Sequence, residues 1–276
     1  MVKLRVISLG AGVQSTTMAL MAAQGEIGPM PDCAIFADTG WEPKAVYEHL
    51  AWLRSGNVLP FPVHVVSAGN IREHLKNSSR VKQQPHHKHQ RFATAPWFIK
   101  NVDGSQGMGR RQCTMEFKIE PLRKKQRELL GYKPRQRIPA SSIEVWIGIS
   151  LDEVMRVKPA AERWQTNRWP LIEQRMHRHD CLRWLERNGY PRPAKSSCIG
   201  CPFHSDLHWR EMRDNAPDEF ADAVAVDQAI RHAFKMRGEQ YMHRDMVPLA
   251  EVDLSTTDER GQPDLFNNEC EGICGV

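Results

Sequence analysis

The feature that most constrains the fold is an uncharged run from Val6 to Gly25. The run is long enough for a membrane span, and it follows Lys3 and Arg5 as the apolar part of a signal peptide would. Glycine and polar residues between Gly10 and Thr17, however, interrupt its middle, where such a segment is continuously apolar. The sequence therefore predicts a buried strand, a glycine turn and an amphipathic helix, with no membrane segment.

Strand and helix patterns alternate through the first half of the chain. Alternating strands and helices imply crossover connections and a parallel sheet, whose ligands bind beyond the carboxyl ends of the strands. The predicted fold class is α/β, a parallel twisted sheet flanked by helices. The predicted strands are Val2–Leu9, Cys33–Ala37, Val63–Ser67 and Ile143–Ile149, and the predicted helices are Val13–Ala23, one beginning at Glu42 and Pro43, Ile71–Leu75 and Met115–Leu130.

The rest of the chain is predicted to be mainly helical. Apolar residues recur at helical spacing over Met176–Asn188, Leu207–Asp214 and Asp218–Arg237. We therefore expect residues 1–195 to form a nucleotide-binding α/β domain. Residues 196–276 are expected to form a Cys-containing helical extension with a mobile tail, packed on the same core.

The composition indicates a globular protein of the cytoplasm. Of the 276 residues, 41% are hydrophobic, which is enough apolar surface to offset the entropy of ordering the chain. The net charge of +5 suits a phosphate-bearing ligand and falls short of a strongly basic nucleic-acid coat. With no export signal, the seven Cys residues are expected to be reduced, which favours metal binding or catalysis over disulfides.

One long segment shows no periodicity. Between Lys76 and Gln112 the sequence is polar and basic, as functional lids and linkers often are. The stretch from Arg80 to Arg111 is predicted to be a mobile lid whose cations contact ligand phosphates or nucleic acid. A solvated loop is the alternative.

The turn after the first strand is a candidate phosphate loop. Small residues let a phosphate approach the backbone, and the N–H groups and dipole of the following helix favour its negative charge. An ordinary tight turn between a strand and a helix is the alternative. The residues assigned to nucleotide binding here are Ser8, Gly10, Ala11, Gly12, Gln14 and Ser15.

Two further polar groups follow predicted strands and therefore belong to the same edge of the sheet. The group after the second strand could instead cap the next helix, and the charged residues after the later strand could form an ordinary surface ion pair. The residues assigned to nucleotide binding in these groups are Asp38, Thr39, Gly40, Gly148, Asp152 and Arg156.

Three cysteines are candidate metal ligands. Cys198 and Cys201 form a C-x-x-C pair that can chelate one metal centre, and the distant Cys113 would supply a third thiolate. The set predicts a 4Fe-4S cluster whose fourth ligand is unassigned. Zinc, with His204 as a fourth ligand, is the alternative.

Two more cysteines, Cys270 and Cys274, lie near the end of the chain. Thiols on a flexible segment suit a nucleophile or a redox pair that enters an active site. Both are therefore candidate catalytic residues, and an incidental Cys-rich end is the alternative.

In their order along the chain, these motifs resemble the phosphoadenosine phosphosulfate (PAPS) reductase family. That family belongs to the adenine nucleotide alpha hydrolase-like superfamily, which also holds N-type ATP pyrophosphatases. The segment from Gly10 to Ser15 looks like the family's phosphate loop, with Gln14 as in reductases where pyrophosphatases typically have Asp. Cys113 and the run Lys118–Leu122 are similar to a stretch that has Cys-Cys and then Lys-Val-Glu-Pro-Leu in cluster-bearing members.

The rest of the chain continues the resemblance with some departures. Asp38–Gly40 looks like the family's second-strand motif, and Gly148–Arg156 resembles its Gly-Ile-Arg segment, although Ser150 stands where an Arg is common. Thr114 stands where cluster-bearing members have a second Cys. The tail has Glu-Cys as in reductases, and Cys274 is additional.

The resemblance implies an enzyme that reduces a sulfonucleotide, either PAPS or adenosine 5′-phosphosulfate (APS). Cys270 would attack the sulfur and release an adenosine phosphate, and a thioredoxin-like dithiol would then cleave the enzyme-bound thiosulfonate to sulfite. The alternative is an ATP-using relative that cleaves or adenylates at the α-phosphate, in nucleic-acid thiolation or in a phage or defence system. A nucleotide sensor without catalysis is a third possibility.

Overall fold

The computed structural model describes residues 2–78, 95–232, 238–255 and 259 of the chain. The strands are β1 (Leu4–Leu9), β2 (Cys33–Asp38), β3 (Val63–Ser67), β4 (Phe98–Lys100), β5 (Gln106–Met108), β6 (Ile143–Ile147), β7 (Gln165–Arg168) and β8 (Glu239–Tyr241). The α-helices are α1 (Val13–Ala23), α2 (Lys44–Arg54), α3 (Ile71–Ser78), α4 (Glu120–Leu129), α5 (Pro170–Glu173), α6 (Arg178–Arg187), α7 (Asp206–Asn215) and α8 (Pro217–Ile230). A π-helix at Met115–Ile119 precedes α4, and 3-10 helices lie at Leu151–Arg156 and Leu249–Glu251.

Within the described residues, five strands form a parallel sheet in the order β3-β2-β1-β6-β7. β2 and β3, which follow β1 in the sequence, lie on one side of it, and the later strands β6 and β7 lie on the other side. The strand order therefore reverses between β1 and β6, and open parallel sheets bind ligands in the crevice at such a reversal. The parallel sheet flanked by helices, with a helical carboxyl-terminal part, confirms the predicted fold class.

Both faces of this sheet are covered by helices. Successive residues of a strand point to opposite faces. Ile7 accordingly packs in the core with α1, α2 and α6, whereas its neighbour Val6 packs in the core against α4. Burial on both faces explains why β1 and β2 are mainly apolar. In α1, every residue from Val13 to Ala22 except Gln14 is buried.

The described chain divides into two compact units. The first holds the parallel sheet and comprises Met1–Asp38, Glu42–Ala68 and Phe117–Ser196. The second comprises Thr39–Trp41, Gly69–Glu116 and Ser197–Val276, and within its described part β4 pairs antiparallel with β5 and β8. The boundary after residue 195 expected from the sequence stays a prediction.

The observed elements follow the predicted ones closely in the first unit. α1 and β3 have the predicted bounds, and α2 begins two residues after Glu42, with Pro43 as its N-cap. The four strands β4, β5, β7 and β8 were not predicted, because segments of three or four residues are too short to show strand alternation. None of the described helices has the length and apolar content needed to cross a membrane.

His49 in α2 is a buried titratable group of the sheet's core. Its Nε2 lies 3.0 Å from the hydroxyl oxygen of Thr16 in α1. Burial lowers the pKa of His49 from 6.5 to about 4, because the charged imidazolium is poorly solvated there. The folded protein therefore holds this side chain neutral at pH 7.

We predict that His49 makes the protein less stable as the pH falls below about 6.5. Between that pH and about 4, the unfolded chain binds a proton that the folded protein does not, which lowers the free energy of unfolding by about 3 kcal/mol in all. His49→Gln should remove this part of the pH dependence in urea unfolding, whereas the exposed His179→Gln should keep it. Identical pH dependence in wild type and His49→Gln would contradict the prediction.

Candidate functional site

The candidate phosphate loop lies between β1 and α1, at the carboxyl end of the central strand. Gly12 is the N-cap of α1, so no side chain caps the helix from that position, and the first turn contains no acidic residue. The hydroxyl of Ser15 accepts the N–H of Gly10 at 3.1 Å and closes the turn. The start of α1 thus has the backbone geometry and the dipole that favour an anion.

The loop is held in a strained conformation by its surroundings. Ala11 is fully buried and has a left-handed φ of 57°, which costs a residue with a Cβ about 1 kcal/mol. Ser196 donates a hydrogen bond to the carbonyl of Gly10. A Cβ on Gly12 would lie 3.3 Å from the Cβ of Ser196. The contact of Ser196 with the loop could not be predicted from the sequence, because Ser196 lies 186 residues beyond Gly10.

Gly148, which follows β6, touches the first turn of α1. A Cβ at Gly148 would lie 2.9 Å from the backbone N of Ser15 and 3.0 Å from its Cα. Both contacts are with backbone, so only glycine allows this approach. The segments after β1 and β6 therefore meet at the reversal of the strand order.

A polar network surrounds the loop on the side of β6. The amide nitrogen of Gln14 donates to Glu153 at 3.3 Å, and its amide oxygen accepts from Arg178 at 2.9 Å. Arg156 donates to the same Glu153 at 2.6 Å. Asp152 accepts the backbone N–H of Arg178 at 3.0 Å. The structure thus brings together the candidate residues Gln14, Asp152 and Arg156, and it adds Arg178, for which the sequence contained no signal.

Asp38 and Ser8 lie on adjacent strands of the same sheet. Ser8 of β1 is paired with Ile35 of β2, three residues before Asp38. The hydroxyl of Tyr47 donates to the Asp38 carboxylate at 2.8 Å, and burial together with this hydrogen bond raises the pKa of Tyr47. Since Pro43 is the N-cap of α2, Asp38 is not the cap that the sequence left open as an alternative.

Thr39 and Gly40 belong to the second unit. The Thr39 hydroxyl oxygen lies 3.3 Å from the sulfur of Cys198, and Ile199 donates its N–H to the carbonyl of Trp41 at 2.9 Å. Gly40 has a left-handed φ of 72°, and its carbonyl accepts a hydrogen bond from Asn70 at 3.0 Å. These contacts hold the segment after β2 against the start of the C-x-x-C turn.

The three candidate metal ligands also lie in the second unit. Cys201 donates its N–H to the carbonyl of Cys198 at 3.0 Å, and the Arg111 guanidinium lies 5.7 Å from the ring centre of Phe203. The residues before Cys113 are therefore beside those after Cys201. Among the residues that the structure describes, however, no group of three or more His, Cys, Asp or Glu side chains is placed to hold a metal ion. The cluster and zinc therefore stay predictions from the sequence.

His204, the fourth ligand of the zinc alternative, has a structural contact through Nε2. Its Nε2 lies 3.0 Å from the carbonyl of Cys198 and 3.1 Å from that of Ile199. An imidazole N–H that donates to backbone carbonyls stabilises the C-x-x-C turn. The ring also packs edge to face on Trp209, with ring centres 4.7 Å apart.

The remaining described cysteines, Cys33 and Cys181, are buried. Burial raises the pKa of Cys33 to about 11 and that of Cys181 to about 12, so both remain thiols at neutral pH and are poor nucleophiles. The candidate catalytic residues Cys270 and Cys274 lie outside the described residues, as does the first part of the predicted lid, up to residue 94. The rest of the predicted lid, up to Arg111, contains β4 and β5.

These features define an α/β protein with a parallel sheet and a candidate anion site at the reversal of its strand order. The chain matches no protein-family model and no curated protein. It is similar to the solved structure of a PAPS reductase from Candida auris in a phosphate complex, with 12% identity and a TM-score of 0.43 over 69% of this chain and 75% of that one. It is also similar to the solved structure of the U34-tRNA thiolase NcsA from Methanococcus maripaludis with its 4Fe-4S cluster. The identity is 12% and the TM-score 0.37, over 92% of this chain and 83% of that one.

We predict that Gly200, inside the C-x-x-C turn, cannot be replaced by Ala without loss of stability. A Cβ there would lie 2.1 Å from Cη2 of Trp41, and overpacking of this kind costs about 1–3 kcal/mol. Gly56→Ala is the matched control, since nothing lies within 4 Å of its Cβ position. In urea unfolding, the double variant Gly200→Ala with Trp41→Leu should lose less free energy of unfolding than the sum of the two single losses. Strictly additive losses would contradict the proposed clash.

Proposed function

We propose that the protein is an enzyme that binds an adenine nucleotide, with the nucleotide's phosphates at the start of α1. The observation that carries this proposal is the contact of Gly148 with the first turn of α1 at the reversal between β1 and β6. Open parallel sheets bind their ligands at that position, and the helix N-terminus there favours a negatively charged group. The adenine part of the proposal comes from the sequence motifs that resemble the PAPS reductase family.

Nucleotide binding is expected to depend on the small residue at position 12. In Gly12→Val, the new side chain would occupy the approach to the N–H groups of α1 and contact Ser196, which should weaken binding at least about tenfold. Gly56→Val is the control for the added volume. Isothermal titration calorimetry with ATP, PAPS and APS measures the effect, and a folded Gly12→Val protein that binds as the wild type does would place the phosphates elsewhere.

The first candidate reaction is reduction of a sulfonucleotide. Its support is the tail, where Cys270 follows Glu269 as in reductases. The Cys270 thiolate would form a bond to sulfur while the bond between sulfur and the phosphate oxygen breaks, releasing the adenosine phosphate. A thioredoxin-like dithiol would supply the two electrons that release sulfite. This reaction needs a cation that recognises the sulfate or the 3′-phosphate.

The second candidate reaction, ATP cleavage or adenylation at the α-phosphate, is favoured by Ser150. This residue stands where the resemblance leads us to expect Arg, and it is fully buried. Its hydroxyl makes no hydrogen bond to any residue that the structure describes. Position 150 therefore supplies no charge for a sulfate or a 3′-phosphate. A nucleic acid held by the basic residues from Arg80 to Arg111 would be the second substrate.

Replacing Cys270 separates the two reactions. In a reductase, Cys270→Ser should abolish sulfite release and leave nucleotide affinity unchanged, because the nucleotide rests on the sheet edge. Cys274→Ser should slow turnover only if Cys274 resolves the intermediate. The assay follows sulfite, AMP and pyrophosphate in anaerobic protein given PAPS, APS or ATP. Release of AMP or pyrophosphate from ATP at an undiminished rate in Cys270→Ser would exclude the reductase mechanism.

A further inference from the structure

Arg178, the first residue of α6, carries its positive charge in an unfavourable place. A cation in the first turn of a helix faces the positive end of the helix dipole. Its side chain extends to a residue 164 positions away in the sequence, and Nη1 donates to the amide oxygen of Gln14 at 2.9 Å. The contact with Gln14, in the first turn of α1, therefore accounts for an arginine at this position better than the stability of α6 does.

Gln14 is held from both ends by charged groups. Its amide oxygen faces the Arg178 guanidinium, and its amide nitrogen donates to the Glu153 carboxylate at 3.3 Å. Arg156 donates to that carboxylate in turn at 2.6 Å. An amide between a cation and an anion has one favourable orientation, with its oxygen towards the cation. Gln14 is therefore a neutral partner that orients the Arg178 guanidinium.

The backbone at Arg178 is fixed as well. Its N–H donates to the Asp152 carboxylate at 3.0 Å, and Leu151 donates its N–H to the carbonyl of Met176 at 2.8 Å. Both hydrogen bonds join the start of α6 to the 3-10 helix that follows β6. Arg178 is thus positioned at the edge where β1 and β6 end, which is where the phosphate loop lies.

We propose that Arg178 binds a phosphate of the nucleotide and that Gln14 positions its guanidinium for this purpose. The inference rests on the proposed function and names the side chain that recognises the ligand's charge. A guanidinium has five N–H donors in a planar fork, a number that allows it to hold Gln14 and phosphate oxygens together. A carboxylate in place of the Gln14 amide would form an ion pair with Arg178 and weaken the attraction between the guanidinium and the phosphate.

The test compares the affinities of the full-length protein for ATP, PAPS and adenosine by calorimetry. Arg178→Gln should weaken the binding of both phosphorylated ligands about ten- to hundredfold and leave adenosine unaffected, because adenosine carries no phosphate. Arg178→Lys, which keeps the charge and loses the fork, should give an intermediate loss. The matched control is Arg183→Gln on the same helix, whose exposed ion pair with Asp180 should not matter for binding.

A second variant keeps the test decisive if Arg178→Gln does not fold. Gln14→Glu preserves the size of the side chain and should lower the affinity for ATP and PAPS while leaving the affinity for adenosine unchanged. Unchanged nucleotide affinity in a folded Arg178→Gln or Gln14→Glu protein would overturn the inference, as would equal losses for adenosine and ATP. Wild-type protein that binds neither nucleotide would overturn the proposed function itself, and this inference with it.

Discussion

The candidate site depends on the close approach of two backbones, the end of β6 and the first turn of α1. At Gly148 there is no room for even one methyl group, since it would lie 2.9 Å from the backbone nitrogen of Ser15. This approach places the polar residues after β6 beside Gln14. It also confines the turn in which Ala11 keeps its left-handed conformation. Backbone packing, rather than any single charged side chain, therefore sets the shape of the site.

Some residues of the sequence motifs have a structural role. Lys118 belongs to the run that resembles a family motif, and its Nζ lies 3.6 Å from the carboxylate of Glu42, whose side chain is 1% exposed. Removing one partner of such a buried pair leaves an uncompensated charge, which is strongly destabilising. Asp222 in the second unit also has a structural role, because its carboxylate accepts hydrogen bonds from both Arg72 and Trp41. The match of a motif thus identifies residues that hold the site as well as residues that face a ligand.

The sequence predicted the parallel sheet and the loop because both leave local signals. The run from Val6 to Gly25 is uncharged and contains a glycine turn, and these two features predicted β1 and α1. Arg178 and Ser196 left no such signal, since their contacts with Gln14 and Gly10 span 164 and 186 residues. The short strands of the second unit were missed for a different reason, since segments of three residues are too short to show strand alternation. The assignment of Cys113 and the C-x-x-C pair to a metal, which came from their spacing and from the family resemblance, stays a prediction.

The division of the chain into interleaved segments has a consequence for biosynthesis. The parallel sheet is incomplete until β7 ends at residue 168, and β4, which can pair early with β5, gains its other partner β8 only when Tyr241 has been made. During synthesis the edge of β1 that pairs with β6 is therefore unpaired while more than a hundred residues are added. Such long-range pairing slows folding and favours aggregation of nascent chains. Expression at reduced temperature, or with chaperones that protect the emerging sheet, should accordingly raise the yield of folded protein more than it does for proteins whose strands pair in sequence order.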